Sequence, residues 1–537
     1  MRRLSYLASI SAVLLAQLFA ANIPTKQNTQ RITPAANGPY RVVGSRILDK
    51  DSHSYLLRGT QLKPFRLAEI SRDNASGDLY GAHSATTLSA ARLRFNLNAV
   101  RIPVDASESS QPNFWNALNT LVVRANTQDL LVVLAANGDA AFWNRCAREF
   151  KSNANVMFAP GDARFVPSIR EAGAAQPVLI RSGEAEGNIV REVAASWTQD
   201  LEIPEGAVVV NGMDLELANA ESCRAIPSDP AVAIQTVQHR LAEFDAREIS
   251  WTISEFIPGK LIKDLSYHDA STLEDGWTCG EKNHPYIGMG RAIEGYLRSS
   301  RERGLFVVSG SGGMVVARGA FALAYGPVLG TVDEAAPESG PPAKLGGIRI
   351  DITDAKGVTR PAGMLWASAG WGQTNFVVPA ESAVGPAQMH VIRDDGSRIT
   401  ANLTIGETAA GFVTGHSCRG AAVGSYVQYS PDGNEIKNDL SHCINGHCET
   451  HVIPITAGSK TQLRIDTSGV RFAKSADEIE VKIDGVSARV VAYSGKDEFG
   501  RDTLTVEVPE SLKGRGEVDL ICHVNGKVAN AVRVRLG

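Results

Sequence analysis

The sequence predicts a multidomain chain, an N-terminal (β/α)₈ barrel followed by all-β sandwich domains. Three observations predict it. From residue 38 to residue 313, eight short β-rich runs alternate with amphipathic helical stretches, the count and size of a parallel barrel. After Ser309-Gly-Ser-Gly-Gly313 the pattern changes to short alternating runs separated by Asp-Gly and Asn-Gly, which reads as antiparallel sandwiches. At 537 residues the chain is also too long for one hydrophobic core.

Composition narrows the function classes. A hydrophobic content of 43% and a charged content of 21% are ordinary for globular protein. A formal net charge of −4 supplies no basic field for nucleic acid or an anionic membrane, so neither is an expected partner. Arg2 and Arg3 precede an apolar run from Leu7 to Phe19, and Ala20-Ala21 follow it. Residues 1–21 therefore read as a secretory signal peptide, since the apolar core is too short to cross a bilayer; a retained anchor is the alternative. Residues 22–37 read as a disordered spacer.

Export places the seven cysteines in an oxidising compartment. Cys223 with Cys279, Cys443 with Cys448 and Cys418 with Cys522 are the pairings considered, with Cys146 left free in a helix. A zinc site from Cys418, His442, Cys443, His447 and Cys448 competes with this, but its spacing fits no common finger and no metal is expected.

In chain order, the candidate barrel strands are Tyr55–Gly59, Ala99–Ile102, Leu130–Leu134, Asn155–Phe158, Pro177–Ile180, Ala207–Val210, Ile249–Ser254 and Gly304–Val308. The helical patterns between them include Trp115–Ala125, Ala140–Phe150, Asn188–Trp197, Pro230–Phe244 and Ile287–Ser300. A doubly wound open sheet would need a glycine-rich phosphate loop after its first strand, and Arg58-Gly-Thr-Gln-Leu-Lys-Pro is not one. Beyond residue 313, alternating runs such as Ile348-Arg-Ile-Asp-Ile, Glu478-Ile-Glu-Val-Lys-Ile and Thr503-Leu-Thr-Val-Glu-Val are divided by Asp395-Gly396, Asp432-Gly433, Asp484-Gly485 and Asn525-Gly526. Two sandwiches are expected, over residues 314–408 and 409–537.

Within residues 40–312 several stretches resemble the cellulase-type family five of glycoside hydrolases. Leu56-Leu-Arg-Gly-Thr-Gln-Leu is similar to that family's first strand, and Leu97-Asn-Ala-Val-Arg-Ile-Pro-Val to its second, whose arginine lies under the nucleophile; here that is Arg101. Phe142-Trp-Asn-Arg-Cys-Ala-Arg-Glu-Phe-Lys-Ser-Asn-Ala-Asn-Val-Met-Phe resembles the helix and strand before the acid/base, and Thr252-Ile-Ser-Glu255-Phe the strand-seven nucleophile. The resemblance implies a nucleophile at Glu255 above Arg101. The C-terminal half resembles immunoglobulin-like modules of the TIG/IPT kind on large secreted bacterial proteins, through Glu478-Ile-Glu-Val-Lys-Ile-Asp-Gly-Val-Ser-Ala and Val524-Asn-Gly-Lys-Val-Ala-Asn-Ala-Val-Arg-Val.

The departures decide the expected activity. After its fourth strand the family carries Asn-Glu-Pro; Phe158-Ala-Pro-Gly-Asp162-Ala163-Arg164 puts Asp162 at the asparagine and Ala163 at the general acid. The family's histidine after strand three, its His-x-Tyr after strand six and its tryptophan after strand eight are replaced by Asn137-Gly138-Asp139, by Asn211-Gly-Met-Asp214-Leu-Glu216 and by Ser309-Gly310. Retaining hydrolysis needs two carboxyl groups about 5 Å apart, one to attack and one to protonate the leaving group. An alanine donates no proton, and general-acid help is worth ~10²–10⁴ in rate.

Asp162, Asp139, Asp214 and Glu216 are the carboxylates that could substitute, each otherwise a solvated loop residue or helix cap, and Trp277 could replace the lost aromatic floor. The expected protein is thus secreted, glycoside-hydrolase-like and catalytically degenerate, at most binding a polysaccharide or cell-surface glycan. It needs no cofactor and acts as a monomer. An active enzyme with a relocated acid and an adhesion or display protein working through its C-terminal sandwiches are the alternatives.

Overall fold

The computed structural model describes residues 33–67, 81–194, 202–213, 230–253, 255–258, 260–262, 265, 277–278, 285–286, 290–297, 305–325, 329–369, 373–414, 420–444 and 447–537. A hairpin of β1 (Arg41–Val43) and β2 (Arg46–Leu48) precedes eight strands. These are β3 (Arg58–Gln61), β4 (Ala99–Val104), β5 (Leu131–Ala136), β6 (Val156–Asp162), β7 (Val178–Ser182), β8 (Ile189–Ala194), β9 (Val208–Met213) and β10 (Ser250–Ile253). Each pairs in parallel with the next, and β10 pairs back onto β3, so the sheet closes into the expected barrel.

Period-2 alternation sorts the strand residues into two cores. Val100, Ile102, Val132, Leu134, Phe158, Ile180, Val210 and Trp251 face outward and pack under helices such as Phe114–Thr127, Ala140–Phe150 and Pro230–Ala246. Ala99, Leu131, Val133, Met157, Leu179, Val190 and Val209 face inward. Tyr40 and Ile47 from the hairpin region join this inner cluster with Tyr55, closing the N-terminal end of the barrel.

Two barrel strands differ from expectation. The segment expected as a helix from Asn188 contains β8. Its apolar residues Ile189, Val190, Val193 and Ala194 fit a helical face, but the same positions fit a strand whose two faces are both covered. Val190 points into the barrel, while Ile189 and Val193 pack against the outer core. Only residues 183–188 connect β7 to β8, without a helix. The second correction follows from the first. Phe306–Ser309, expected as the last barrel strand, pairs antiparallel with Phe321–Tyr325 in the first sandwich, because β10 has already sealed the barrel edge against β3.

Residues 33–37, expected as the end of a disordered spacer, are ordered against the barrel. Thr33 is buried, donates its backbone N–H to Asn96 Oδ1 at 3.1 Å and accepts from Arg92 Nη1 at 2.9 Å, and Ala36 N–H donates to the Asp129 carbonyl at 3.0 Å. A buried guanidinium needs acceptors, and Thr33 supplies two of them.

The first sandwich packs a five-stranded sheet containing Phe306–Ser309 and Gln373–Val377 onto a six-stranded sheet containing Ile348–Thr353 and Gly385–Arg393. Phe376 and Met364 meet Ile350, Met389 and Leu403 between the layers. The second sandwich is one eleven-stranded sheet folded over itself, and Val486–Gly495, with a bulge between Val490 and Ala492, pairs with both halves. Its Asp484-Gly485 and Asn525-Gly526 turns have positive φ at both residues, as two-residue hairpins require. Cys522 is a free buried thiol, which corrects its expected pairing with Cys418; Cys146 is free in its helix as expected, and is buried. Burial pushes the Cys522 thiol up to about 12. Cys443 and Cys448 occupy facing positions of a hairpin. Cys223, Cys279 and Cys418 lie outside the described residues. No helix among the described residues is long and apolar enough to cross a membrane.

The three domains pack together. Ile521, Val528 and Ala531 of the second sandwich pack on Ala85 of the barrel, and Arg124 Nε meets Asp519 Oδ2 at 2.8 Å. The Arg318 guanidinium of the first sandwich stacks over the Phe472 ring of the second at 3.9 Å.

A pH dependence is built into the first sandwich. Asp354 is buried and accepts from the backbone N–H groups of Ala383, Lys356 and Val358 and from Arg360 Nη1. The Ala383 N–H leads in holding its carboxyl down, from the usual 3.8 to about 2, against the opposing effect of burial. A carboxyl depressed on folding stabilises the native state above its unfolded pKa and loses that contribution as pH falls through the folded one. The melting temperature of this sandwich is therefore expected to drop between about pH 4 and about pH 2. Asp354→Asn should lower it at neutral pH and flatten the acid limb. Calorimetry against pH checks both.

Candidate functional site at the barrel mouth

The inward-facing positions change character along the barrel. Below, they are apolar; towards the C-terminal ends of the strands they become Arg101 on β4, Arg181 on β7, Glu192 on β8, Asn211 on β9 and Thr252 on β10. Glu192 is the hub, with a side chain 0% exposed. Its Oε1 lies 2.6 Å from Arg101 Nη1 and accepts from Asn211 Nδ2 at 2.6 Å, while Oε2 lies 3.1 Å from Arg181 Nε. Thr252 Oγ1 donates to Asn211 Oδ1 at 2.5 Å, which fixes the amide so that its N–H₂ faces the carboxylate. Burial pulls the Arg101 pKa down and the Glu192 charge opposes that pull. The carboxylate is thus held through one oxygen by the buried Arg101 and the Asn211 amide, with the half-exposed Arg181 beside the other.

Above this layer, at the ends of β5, β6 and β7, opens a cleft of about 390 Å³. Asn137, Asp162, Arg164, Phe165, Arg181 and Ser182 line it. Asp162 ends β6 and caps the short 3₁₀ turn Ala163–Phe165: its Oδ1 accepts from the Arg164 N–H at 2.9 Å, and Oδ2 lies 3.5 Å from Arg164 Nε. Ala163 is 6% exposed, and a Cβ built on Gly183 would stand 2.8 Å from its methyl. The β7–β8 connection therefore closes over the position where the resemblance would put a general acid.

The other expected site residues have partners of their own or lie outside the described residues. Glu255 follows β10, the eighth strand rather than the seventh, because β8 adds one strand to the count. Its Oε2 pairs with Lys260 Nζ at 3.5 Å, and the carboxylate held by Arg101 is that of Glu192. Asp139 caps the helix Ala140–Phe150, accepting from the Phe142 N–H at 2.8 Å. Asp214 and Glu216 lie outside the described residues. Trp277 pairs in register with Tyr286 in a two-stranded ladder. Asp162 and Arg101 thus stand with the Glu192 network, while Glu255 follows β10, whose Thr252 joins that network through Asn211, and pairs with Lys260 instead of Arg101.

No protein-family model and no curated protein matches the chain. Among solved structures, a β-glucanase from Saccharophagus degradans in complex with cellotetraose is similar over 51% of this chain and 97% of its own, at 12% identity and a TM-score of 0.37. The catalytic domain of a mannanase from Streptomyces sp. SirexAA-E covers 52% and 97% at 11% identity and 0.32, and a β-mannanase from Streptomyces thermolilacinus 49% and 98% at 12% and 0.33. With TM-scores this low, the fold assignment rests on the strand pairing itself.

Glu192 and Arg181 are the mouth residues that the sequence reading misses. The signal that finds them is the strand alternation Val190, Glu192 against Ile189, Arg191, Val193, readable only once the segment is taken as β.

As to metals, the one cluster of suitable groups among the described residues is Asp49, Asp51 and His53, and Asp49 already accepts from the backbone N–H groups of Asp51 and His53 as a turn.

The packing at Ala163 makes a prediction. Ala163→Glu, the substitution that would restore the family's acid, is expected to give no hydrolysis. It should destabilise the barrel by about 1–3 kcal/mol through overpacking against Gly183. A denaturation curve and a reducing-sugar assay on the variant check the two halves.

Proposed function

We propose that this is a secreted glycan-binding protein in which a glycoside-hydrolase-like barrel no longer hydrolyses. The observation that carries the reading is the state of the carboxylates at the mouth. Glu192 is enclosed by Arg101 and Arg181, and Asp162 is engaged as a turn cap with Arg164. A retaining pair needs one free nucleophilic carboxylate and one protonated acid about 5 Å apart. Among the described residues, Glu192 is buried beneath its arginines, Asp162 is turned to its cap and Glu255 pairs with Lys260, so no such pair stands free toward the cleft. The cleft above them is of ligand size and polar, which suits hydroxyl-bearing sugars.

The relocated-acid alternative draws no support from Asp139 or Asp162, since both side chains cap helical turns. The adhesion reading, resting on TIG/IPT-like modules, is disfavoured as an independent activity because Arg124 and Asp519 bind the second sandwich to the barrel.

The test is polysaccharide retention in native affinity gels, measured together with release of reducing ends. Retention without release supports the reading. Release that rises with time, or no retention on any polysaccharide, removes it.

A further inference from the structure

The charge of the cleft points to the kind of sugar it takes. Glu192 faces both Arg101 and Arg181, so one guanidinium is left over at the base of the mouth. Arg164 and Asp162 on the wall offset each other. Among the described groups that line the cleft or its base, three guanidiniums meet two carboxylates, one positive charge in excess; Asp139, beside Gly138 at the rim, caps its helix through the Phe142 N–H and does not line the cleft. The excess sits in a chain whose net charge is −4, so it is a local feature and not part of a general basic surface.

The excess charge is accessible. The Arg181 side chain is 55% exposed although its Nε is held to Glu192, and its Nη2 runs beside Gly161, 3.3 Å from where a Cβ would be. Gly161 has φ of +75°, a conformation that favours glycine, and the missing side chain leaves the guanidinium edge open to the cleft. The Arg164 side chain is 72% exposed, and its guanidinium lies 4.7 Å from the Phe165 ring centroid. That stack restricts the fork's orientation.

Resting on the glycan-binding reading above, we propose that the cleft selects an acidic sugar, a uronate whose carboxylate is held by Arg164 and Arg181. Planar guanidinium forks match a planar carboxylate with paired N–H···O bonds, whereas an ammonium offers only a point charge. Ser182 and Asn137 on the same walls are hydroxyl and amide partners for the ring hydroxyls.

The experiment compares retention of the full chain in native gels containing polygalacturonate, dextran sulfate or a neutral β-glucan, with Arg164→Gln, Arg164→Lys and Arg181→Gln alongside. The expected result is retention strongest on polygalacturonate, weakened about 10- to 100-fold by either glutamine variant and not rescued by Arg164→Lys. Arg164 is exposed enough that its variants test the cleft even if Arg181→Gln disturbs the barrel. Equal retention on the neutral glucan, or an unaffected Arg164→Gln, overturns the acidic-sugar assignment and leaves glycan binding standing. Equal retention on dextran sulfate overturns the carboxylate assignment. No retention on any of the three overturns both.

Discussion

Glu192→Ala is expected to destabilise the barrel by about 3–5 kcal/mol, the cost of leaving a buried charge without its partner. The asymmetry between its two arginines explains why. Arg181 is half exposed and can turn into solvent, but the Arg101 side chain is 7% exposed and lies inside the barrel. Asn211 also loses its acceptor while Thr252 continues to hold its amide in place. Glu192→Gln keeps the shape and one acceptor oxygen and should cost less, because the Arg101 and Asn211 donors can still share that oxygen. Glu192→Ala combined with Arg101→Met should recover part of the loss, since a buried pair replaced by apolar side chains is often close to neutral. Hydrogen exchange at β4 and β8, before and after substitution, reports on the barrel separately from the sandwiches. A loss below about 1 kcal/mol would mean that the pair is hydrated and not the hub described here.

Asp519→Ala is the second large effect, again about 3–5 kcal/mol. Asp519 Oδ2 meets Arg124 Nε at 2.8 Å from the barrel side, and Oδ1 lies 3.3 Å from Arg533 Nε of its own sandwich. Both arginine side chains are under a tenth exposed, so removing the acid leaves Arg533 without its carboxylate and takes one partner from Arg124, whose Nη1 keeps the His83 carbonyl. His523 Nε2 and Asp129 Oδ1, 3.3 Å apart across the same interface, remain. The second sandwich is therefore expected to melt apart from the barrel in the variant and together with it in the wild type. A double-mutant cycle with Arg124→Ala isolates the cross-domain pair from the Arg533 contact.

The architecture was legible where pattern and physics coincide. All but one of the barrel strands show in the sequence, as do the Asp-Gly and Asn-Gly hairpins, whose positive φ few other residues tolerate. β8 was not legible. Ile189, Val190, Val193 and Ala194 satisfy both a helical and a strand period, and a parallel step over residues 183–188 is shorter than the dozen or so residues such crossovers usually take. That single misreading moved Glu255 from the eighth strand to the seventh and so paired Arg101 with the wrong acid.

Asp139 and Asp162 were legible as carboxylates at the rim, and their ordinary alternative as caps is the one the structure shows. The Glu192 network was beyond reach for a different reason. Its members come from strands far apart in sequence, and only closure of the barrel makes Arg101, Arg181 and Asn211 neighbours of one carboxylate.

The most direct measurement is turnover of a panel of fluorogenic β-glycosides by the wild type and by Glu255→Gln, across pH 4–8. No turnover above the uncatalysed rate is expected from either protein. Turnover by the wild type that disappears in Glu255→Gln would contradict this, since that carboxylate would then be working with an acid that the described residues of the mouth do not supply.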